Sequence, residues 1–165
     1  SGGGSDKQAT IKKDDAWTVF LKEREELIEF WDGLDKVVFV LNGDLHNSFA
    51  IKITDNVWEF ASGPHNSINH APMKDEGGRP ANGRFKYGPR ACDIRWSSYA
   101  MEDIPRANRT FPHYCVVQVN NVFNNPLERD GERWFAFPHP QVIFQFYDAY
   151  TGDLRYSETY VLGLD

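Results

Sequence analysis

The stretch that decides the fold is Val37-Val38-Phe39-Val40-Leu41-Asn42-Gly43-Asp44-Leu45-His46-Asn47-Ser48. Its first five residues are apolar and mostly β-branched, and they are bounded by charged Lys36 and by the pair Asn42-Gly43. Such a run predicts a strand that is buried on both faces. Gly43 then allows the backbone to turn where the strand ends.

The residues after this turn carry an acid and an imidazole two positions apart. In an extended or tightly turned segment, the side chains of Asp44 and His46 project to the same side and can converge on one cation. A carboxylate oxygen together with an imidazole nitrogen suits iron, zinc or manganese. If the neighbouring site contains only oxygen ligands, calcium is also suitable. The same residues also fit an ordinary hairpin turn, in which His46 is an incidental loop histidine.

A family resemblance favours the metal site. Residues 38–50 (VFVLNGDLHNSFA) resemble the last metal-binding motif, a strand followed by Gly-Asp-x-His, of the alkaline phosphatase D-like branch of the calcineurin-like metallophosphoesterases. Residues 17–27 are similar to the helix that precedes this strand in that family, and residues 58–64 resemble its next strand and loop. The resemblance is best over residues 14–70, and it implies part of an α/β/β/α sandwich.

The resemblance also implies that most of the metal site lies elsewhere. The family's other strand-end motifs are an early Asp-x-His, a Gly-Asp-x-x-Asp and an Asn-His or Asp-His; the 165 residues contain no Gly-Asp-x-x-Asp and no Asp-x-His besides Asp44-Leu45-His46. Gly152-Asp153 is better interpreted as a hairpin turn. We therefore expect residues 14–165 to be the C-terminal half of a catalytic domain. Residues 1–13, which begin with SGGGS, are expected to be a linker or a surface loop where the chain was cut.

The function that the resemblance implies is hydrolysis of phosphate monoesters or diesters by two metal ions. Asp44 and His46 would be metal ligands, with iron and calcium as one possible pair and manganese or zinc also open. The partners would be a phosphoester substrate and the missing half of the domain, in the same polypeptide or in a second chain. The chain alone would then be inactive or nearly so, and the family implies an extracellular or periplasmic location.

Four further residues are candidates for the same site. His65 follows a predicted strand end on the side of the sheet where Gly43 lies, so it is a candidate catalytic residue for substrate contact or proton transfer. Asn42, Asn47 and Asn66 are candidates for orienting the ligands or contacting the substrate, on adjacency alone.

The rest of the chain predicts an α/β fold with one main N-terminal helix, then mostly β-strands and a long irregular loop. The helix is expected to begin at Asp14 or Asp15 and to end near Trp31. Its predicted buried stripe consists of Trp17, Phe20, Leu21, Leu27, Ile28 and Trp31. The later predictions are a hairpin over residues 49–61, an irregular excursion over 62–111, a strand over 114–123, and a hairpin pairing 141–147 with 154–162. Together they indicate a mixed central sheet and a second, antiparallel sheet.

Four of the six arginines of the irregular excursion, and its one cysteine, bear on function. Arg79, Arg84, Arg90 and Arg95 are either phosphate ligands or solvated charge. Cys92 is expected in a loop and Cys115 at a strand start. The two thiols either pair or stay free, and their number does not decide the redox compartment.

Composition excludes some classes of function. The formal charge of −6 and the absence of a basic stripe argue against a nonspecific nucleic-acid surface. No segment approaches the ~20 apolar residues of a membrane span. Aromatic residues make up 15% of the chain, as expected for sheets packed face to face. They also suit an alternative function, a noncatalytic β-sandwich module that binds carbohydrate or another ligand through exposed aromatic rings.

Overall fold

The computed structural model describes residues 17, 20–63, 65, 80–99, 112–121, 127–129, 132–134 and 139–163. These residues form one helix followed by ten strands. The bounds are α1 Leu21–Asp32, β1 Val38–Asn42, β2 Phe49–Lys52, β3 Val57–Ala61, β4 Gly83–Tyr87, β5 Arg90–Ser97, β6 His113–Asn120, β7 Leu127–Arg129, β8 Glu132–Trp134, β9 Gln141–Asp148 and β10 Leu154–Val161.

The strands form a central sheet, a second sheet and a separate small hairpin. The central sheet has the order β1-β3-β2-β5-β4, in which β1 and β3 are parallel and every other pair is antiparallel. The second sheet, β10-β9-β6, is wholly antiparallel, and β7 pairs with β8. The predicted α/β class is therefore confirmed, with one helix, then strands, a mixed sheet and an antiparallel sheet.

The central sheet buries residues on both of its faces. Towards the second sheet, Phe60 and Trp96 lie in one cluster with Phe144 and Phe146 of β9. The rings of Phe60 and Phe144 stack with centroids 3.6 Å apart. On the opposite face, α1 lies over a cluster formed by Leu45, Phe49, Ile51, Ala61, Cys92 and Ile94. The result is three layers in the order helix, mixed sheet, antiparallel sheet.

The helix contacts the sheet through a narrower stripe than the sequence predicts. Arg24 and Ile28, one turn apart, are its buried residues. Phe20 is the N-cap residue and is 49% exposed, and Trp17 and Leu21 are 39% and 38% exposed. The prediction that these three are buried is therefore wrong, because Trp17 and Phe20 precede the helix and Leu21 lies outside its buried face. The predicted start at Asp14 or Asp15 falls outside the described residues.

Strand β1 is only partly covered, so the prediction that it is buried on both faces is wrong. Its first three residues are half-buried, and Leu41 is 59% exposed. A run of apolar residues predicts that other elements pack on the strand, but it does not show how completely they bury each residue. The parallel pairing of β1 with β3 leaves its other edge without a partner strand among the described residues.

Both hairpins predicted from alternating residues are confirmed. Strand β2 pairs with β3 in a register that sets Phe49 opposite Ala61. The hydroxyl of Thr54 accepts hydrogen bonds from the backbone N–H groups of Asn56 and Val57, at 3.2 and 3.0 Å, and so closes the turn. Strand β9 likewise pairs with β10, and Gly152 in the turn between them has φ +75°.

The predicted irregular excursion over residues 62–111 is wrong in its middle third, where β4 and β5 form a hairpin. Phe85 pairs with Cys92, and Gly88 adopts φ +62° in the turn between the two strands. Cys92 is therefore a buried strand residue rather than a loop residue. The available signal was the alternation of apolar and polar residues in β5, which the surrounding glycines, prolines and charges obscured.

Two of the four candidate arginines of this excursion join layers of the fold. The Nε of Arg90 in β5 lies 2.9 Å from a carboxylate oxygen of Glu25 in α1. The Nε of Arg95 lies 3.3 Å from a carboxylate oxygen of Glu158 in β10. Both residues therefore lie in a strand rather than in a loop; Arg90 is half-buried, whereas Arg95 is exposed, as solvated charge is expected to be. Arg84 is exposed in β4, and Arg79 lies outside the described residues.

The two cysteines are free thiols on opposite faces of the central sheet. Cys92 belongs to the cluster beneath α1, whereas Cys115 packs against the cluster between the two sheets. Burial, and then the neighbouring Glu59 carboxylate, raise the pKa of Cys92 to about 11. Burial raises the pKa of Cys115 to about 11 as well.

We therefore expect slow thiol chemistry in the native chain. At pH 8 a thiol of this pKa reacts with Ellman's reagent on the order of a hundredfold more slowly than an ordinary cysteine, because the reactive thiolate is scarce. In urea, without reductant, two thiols per chain should titrate rapidly. A count below two under those conditions would show a disulfide and contradict the structure.

Candidate functional site

The ends of two parallel strands bring the predicted site residues to one edge of the central sheet. The register pairs Asn42, the last residue of β1, with Ala61, the last residue of β3. The backbone N–H of Ser62 then donates to the carbonyl of Asn42 at 3.0 Å. The Asp44 loop, defined as residues 43–48, and the segment that leads to His65 therefore leave the sheet side by side. In sheets with parallel strands, ligands bind preferentially beyond such carboxyl ends.

The turn after β1 is made by the acid rather than by the glycine. Asp44 has φ +65° and is the one non-glycine residue with positive φ among those described, whereas Gly43 has no positive φ. The expectation that Gly43 provides the turn is therefore wrong. A left-handed conformation costs a residue with a side chain about 1–2 kcal/mol, although aspartate tolerates it better than most. Such strain is characteristic of functional loops, where the surrounding structure holds it in place.

Exposure differs between the two predicted ligands. Asp44 is exposed and His46 is half-buried, and Leu45 between them is buried. The backbone N–H of Leu45 donates to the carbonyl of Gly43 at 2.8 Å, so the loop turns tightly at Asp44. This conformation presents the carboxylate to solvent at the sheet edge while Leu45 anchors the loop in the core.

A buried polar network holds the other half of the Asp44 loop. Ser98, which follows β5, donates its hydroxyl to the Asn47 side-chain oxygen at 3.0 Å and its backbone N–H to the carbonyl of Ser48 at 2.8 Å. The hydroxyl of Ser98 also accepts from the backbone N–H of Ser48 at 3.3 Å. All three residues are fully buried. Since this network excludes water, it fixes the loop in one position relative to β5.

Gly63 closes the loop from the side of β3. The Ser48 hydroxyl donates to the carbonyl of Gly63 at 2.7 Å and accepts from its backbone N–H at 3.3 Å. A Cβ atom at position 63 would lie 2.4 Å from the carbonyl oxygen of Leu45, so only glycine fits there without movement of the backbone. Sequence reasoning missed the roles of Ser48, Gly63 and Ser98. Their partners lie 15 to 51 residues away along the chain.

The remaining predicted site residues have different surroundings. Asn42 donates its side-chain amide to the Glu59 carboxylate and thereby joins β1 to β3. Asn47 is the buried partner of Ser98 described above, and its side-chain nitrogen has no hydrogen-bond partner among the described residues. His65 is exposed. Asn66 lies outside the described residues.

The described residues fit part of a metal site. A carboxylate and an imidazole are suitable donors for first-row transition metals, and a carboxylate also suits calcium. Protein metal sites use about four to eight ligands, some of them water or substrate. The described part of the chain contains no cluster of three or more histidine, cysteine, aspartate or glutamate residues that could hold a metal ion. Further protein ligands would have to come from residues outside the described ranges or from another segment.

The second sheet ends at the same place and carries a buried carboxylate. His113 pairs with Asp148, and the Ser62 hydroxyl donates to the carbonyl of His113 at 3.5 Å. The Asp148 carboxylate accepts from the backbone N–H groups of Tyr150 and Thr151, at 2.9 and 3.1 Å. It also accepts from Arg155 at 3.2 Å. Asp148 therefore organises the turn between β9 and β10.

Asp148 gives the fold a predictable response to acid. Burial opposes its ionisation, but the hydrogen bonds from Thr151 and Tyr150, together with Arg155, outweigh burial and hold the pKa of the carboxyl below its usual value. A depressed folded-state pKa stabilises the fold above the unfolded-state pKa of about 3.9, and this stabilisation is lost as the pH falls through the folded-state value.

We expect Asp148→Asn to lower the free energy of unfolding by about 1–2 kcal/mol at pH 7, because hydrogen bonds to a charged group are lost. Urea unfolding at pH 7, 5 and 3 measures the difference between the parent and the variant. The difference should shrink below pH 4. A difference that stays constant across this range would contradict the role of the ionised carboxylate.

Comparisons of the chain with protein-family models, curated proteins and solved structures find no match. Among the residues that the structure describes, no helix is long and apolar enough to cross a membrane.

Proposed function

We propose that the chain contributes one wall of a two-metal phosphoesterase site, with Asp44 and His46 as metal ligands. The observation that carries this proposal is the left-handed Asp44, which follows the first strand of a parallel pair and precedes a histidine by two residues. A strained carboxylate with its loop locked on both sides is what a preorganised ligand requires. The Gly-Asp-x-His pattern resembles the last motif of alkaline phosphatase D-like enzymes, and this resemblance supplies the reaction class.

The two metals would be iron with calcium, or manganese or zinc, and the substrates would be phosphate monoesters or diesters. Such a metal pair would activate water for attack on phosphorus and would neutralise charge on the phosphoryl oxygens. The chain's own residues would position the ligands. Asp44 presents its carboxylate at the sheet edge, and Ser98 fixes the loop through Asn47 and Ser48. His65, which follows the neighbouring strand, is a candidate for contact with the substrate or its proton.

We propose further that the remaining ligands come from another segment, in the same polypeptide or in a second chain. The described residues offer two ligands from the motif, and among them no strand pairs with the second edge of β1, beside the Asp44 loop. The chain by itself is then expected to bind metal weakly and to lack turnover. In keeping with the family, the proposed location is extracellular or periplasmic.

The test uses Mn²⁺ as a paramagnetic probe, because paramagnetic broadening detects weak binding. Titration of the ¹⁵N-labelled chain should broaden the amide signals of residues 43–48 and 62–65 first. Asp44→Asn should weaken this binding at least about tenfold, or roughly 1.4 kcal/mol, because it removes the charged ligand. The control Asp35→Asn changes an exposed acid in the segment between α1 and β1, and it should leave the titration unchanged.

The variant Asp44→Gly separates a ligand from a structural turn residue. Glycine adopts φ +65° without a steric penalty, so Asp44→Gly should raise the free energy of unfolding by about 1 kcal/mol while Mn²⁺ binding is lost. Broadening that is centred elsewhere, or that survives both substitutions, would overturn the proposal.

Activity assays address the half-site part of the proposal. The isolated chain should hydrolyse p-nitrophenyl phosphate and its bis ester no faster than Asp44→Asn does. Turnover at ordinary enzymatic rates with two bound metals would show that the chain is complete and would contradict the need for a second segment. Saturable glycan binding without any metal binding would instead support the β-sandwich binding module.

A further inference from the structure

The dipeptide Asn-Gly occurs twice in the chain, at Asn42-Gly43 and at Asn82-Gly83. An asparagine in this pair loses its side-chain amide more readily than other asparagines, because glycine has no side chain to obstruct the ring closure that starts the reaction. The two copies lie in different surroundings, since Asn42 is the last residue of β1 and Asn82 precedes β4. The reacting pair is therefore the same at both positions, and only the structure around it differs.

Deamidation needs a specific approach of two groups. Hydroxide removes the proton from the glycine N–H, and the nitrogen then attacks Cγ of the asparagine side chain. A C–N bond forms, the bond from Cγ to the amide nitrogen breaks, and ammonia leaves after it takes a proton from water. Water then opens the cyclic imide at either carbonyl, which gives aspartate or isoaspartate. A structure that keeps the nitrogen and Cγ from this alignment slows the reaction.

Both groups of Asn42 that would have to rotate are held in place. Its side-chain nitrogen donates to the carboxylate of Glu59, a residue that is 6% exposed. Its backbone carbonyl accepts from the N–H of Ser62 at 3.0 Å, and Ala61 is its register partner in β3. Attack by the Gly43 nitrogen on Asn42 therefore requires that the end of β1 first separates from β3.

The second pair lies in an open position. Asn82 is exposed in the bend before β4, and Gly83 is exposed as well. Gly83 has φ +80°, and a Cβ atom at this position would meet no atom of the described part of the chain within 4 Å. The pairing of β4 with β5 begins at Gly83 and Ile94, so it restrains the chain after the reacting nitrogen rather than the Asn82 side chain. Hydroxide and water thus reach this pair without opening of the sheet.

We propose that Asn82-Gly83 is a site of spontaneous deamidation in the folded chain, and that the contacts with Glu59 and Ser62 protect Asn42-Gly43 from the same modification. Protection has a larger consequence at Asn42. Isoaspartate there would add a carbon atom to the main chain directly before the Asp44 loop, and aspartate would place a second carboxylate beside Glu59. The inference concerns the chain without metal and does not rest on the proposed function.

The test compares the two sites in the native chain and in guanidinium chloride, both at pH 8. Peptide mapping by mass spectrometry after digestion at acidic pH follows asparagine, aspartate and isoaspartate at each position. In the native chain, Asn82 should deamidate at least about tenfold faster than Asn42, because only Asn42 must wait for local opening. In guanidinium chloride the two rates should agree within about threefold, since the protection by structure is lost.

Amide exchange provides an independent measure of the same opening. The Ser62 N–H bonds to the Asn42 carbonyl, so its protection reports how seldom this contact opens. The factor by which folding slows deamidation of Asn42 should match the protection factor of the Ser62 amide within about threefold. A much smaller slowing, with Ser62 well protected, would show that the contact does not control the reaction.

Two variants separate the sites. Asn82→Ser should abolish the fast modification and leave the rate at Asn42 unchanged. Glu59→Ala removes the acceptor of the Asn42 amide, so the native rate at Asn42 should rise at least about threefold while the rate at Asn82 stays the same. The comparison of the native with the denatured parent chain remains decisive if Glu59→Ala does not fold.

Two outcomes would overturn the proposal. Equal native rates at Asn42 and Asn82 would show that the end of β1 gives no protection. A native rate at Asn82 that is at least about tenfold below its rate in guanidinium chloride would show that the bend before β4 is not open to the reaction.

Discussion

Phe144→Ala is expected to lower the free energy of unfolding by about 3–5 kcal/mol, because it removes a large buried ring that packs between the two sheets. Phe144 is 1% exposed. Its ring stacks on Phe60 at 3.6 Å and lies 5.1 Å from the ring of Phe39. The cavity left by alanine cannot collapse easily, since two sheets hold its walls. The loss would be a large part of the stability of an ordinary domain, about 5–15 kcal/mol.

The matched control is Phe30→Ala, which makes the same chemical change on the surface of α1. Phe30 is 63% exposed, and alanine has a higher helix propensity than phenylalanine. We expect this variant to unfold within about 0.5 kcal/mol of the parent. Urea unfolding followed by circular dichroism measures both variants. Equal losses for Phe144 and Phe30 would show that the second sheet does not pack on the central sheet through β9.

The sequence predicts the parts of this fold that depend on neighbouring residues. Apolar and polar residues alternate in β2 and β3, which are joined by a short turn, and likewise in β9 and β10. This makes both hairpins recognisable from the sequence. The β4–β5 hairpin has the same kind of pattern, but it lies between segments rich in glycine and proline. In the structure, its turn contains Gly88-Pro89, and Gly88 has φ +62°. Local pattern is therefore informative where the partners are close along the chain.

The features that the sequence does not predict depend on distant partners. The exposure of Leu41 follows from the position of β1 at the end of the sheet, which no residue of β1 encodes. The partnership of Asn47 with Ser98 joins residues 51 positions apart. The same limit applies to the candidate site. Asp44 and His46 can be recognised from their spacing, whereas the groups that hold their loop become visible only when β3 and β5 are placed beside it.

The loop is held most closely at Gly63, and this makes Gly63 its most sensitive position. Ser48 exchanges two hydrogen bonds with the backbone of Gly63, at 2.7 and 3.3 Å. A Cβ of residue 63 would also lie 2.4 Å from the carbonyl oxygen of Leu45, the residue between the two predicted ligands. Any side chain at position 63 must therefore displace the segment that carries both predicted ligands.

Gly63→Ala is accordingly expected to cost about 3 kcal/mol of stability, at the upper end of the range for overpacking, because the clashing atom at 2.4 Å is the Leu45 carbonyl oxygen and not a flexible side chain. Mn²⁺ broadening of residues 43–48 should be lost in the fraction that remains folded. The matched control is Gly43→Ala, whose added Cβ would meet its nearest atom, the Ser62 carbonyl oxygen, at 3.7 Å. Since Gly43 has no positive φ, this control should keep both its stability and its Mn²⁺ binding. If Gly63→Ala unfolded like the control and still bound Mn²⁺, the close approach of β3 to the Asp44 loop would not be what positions the ligands.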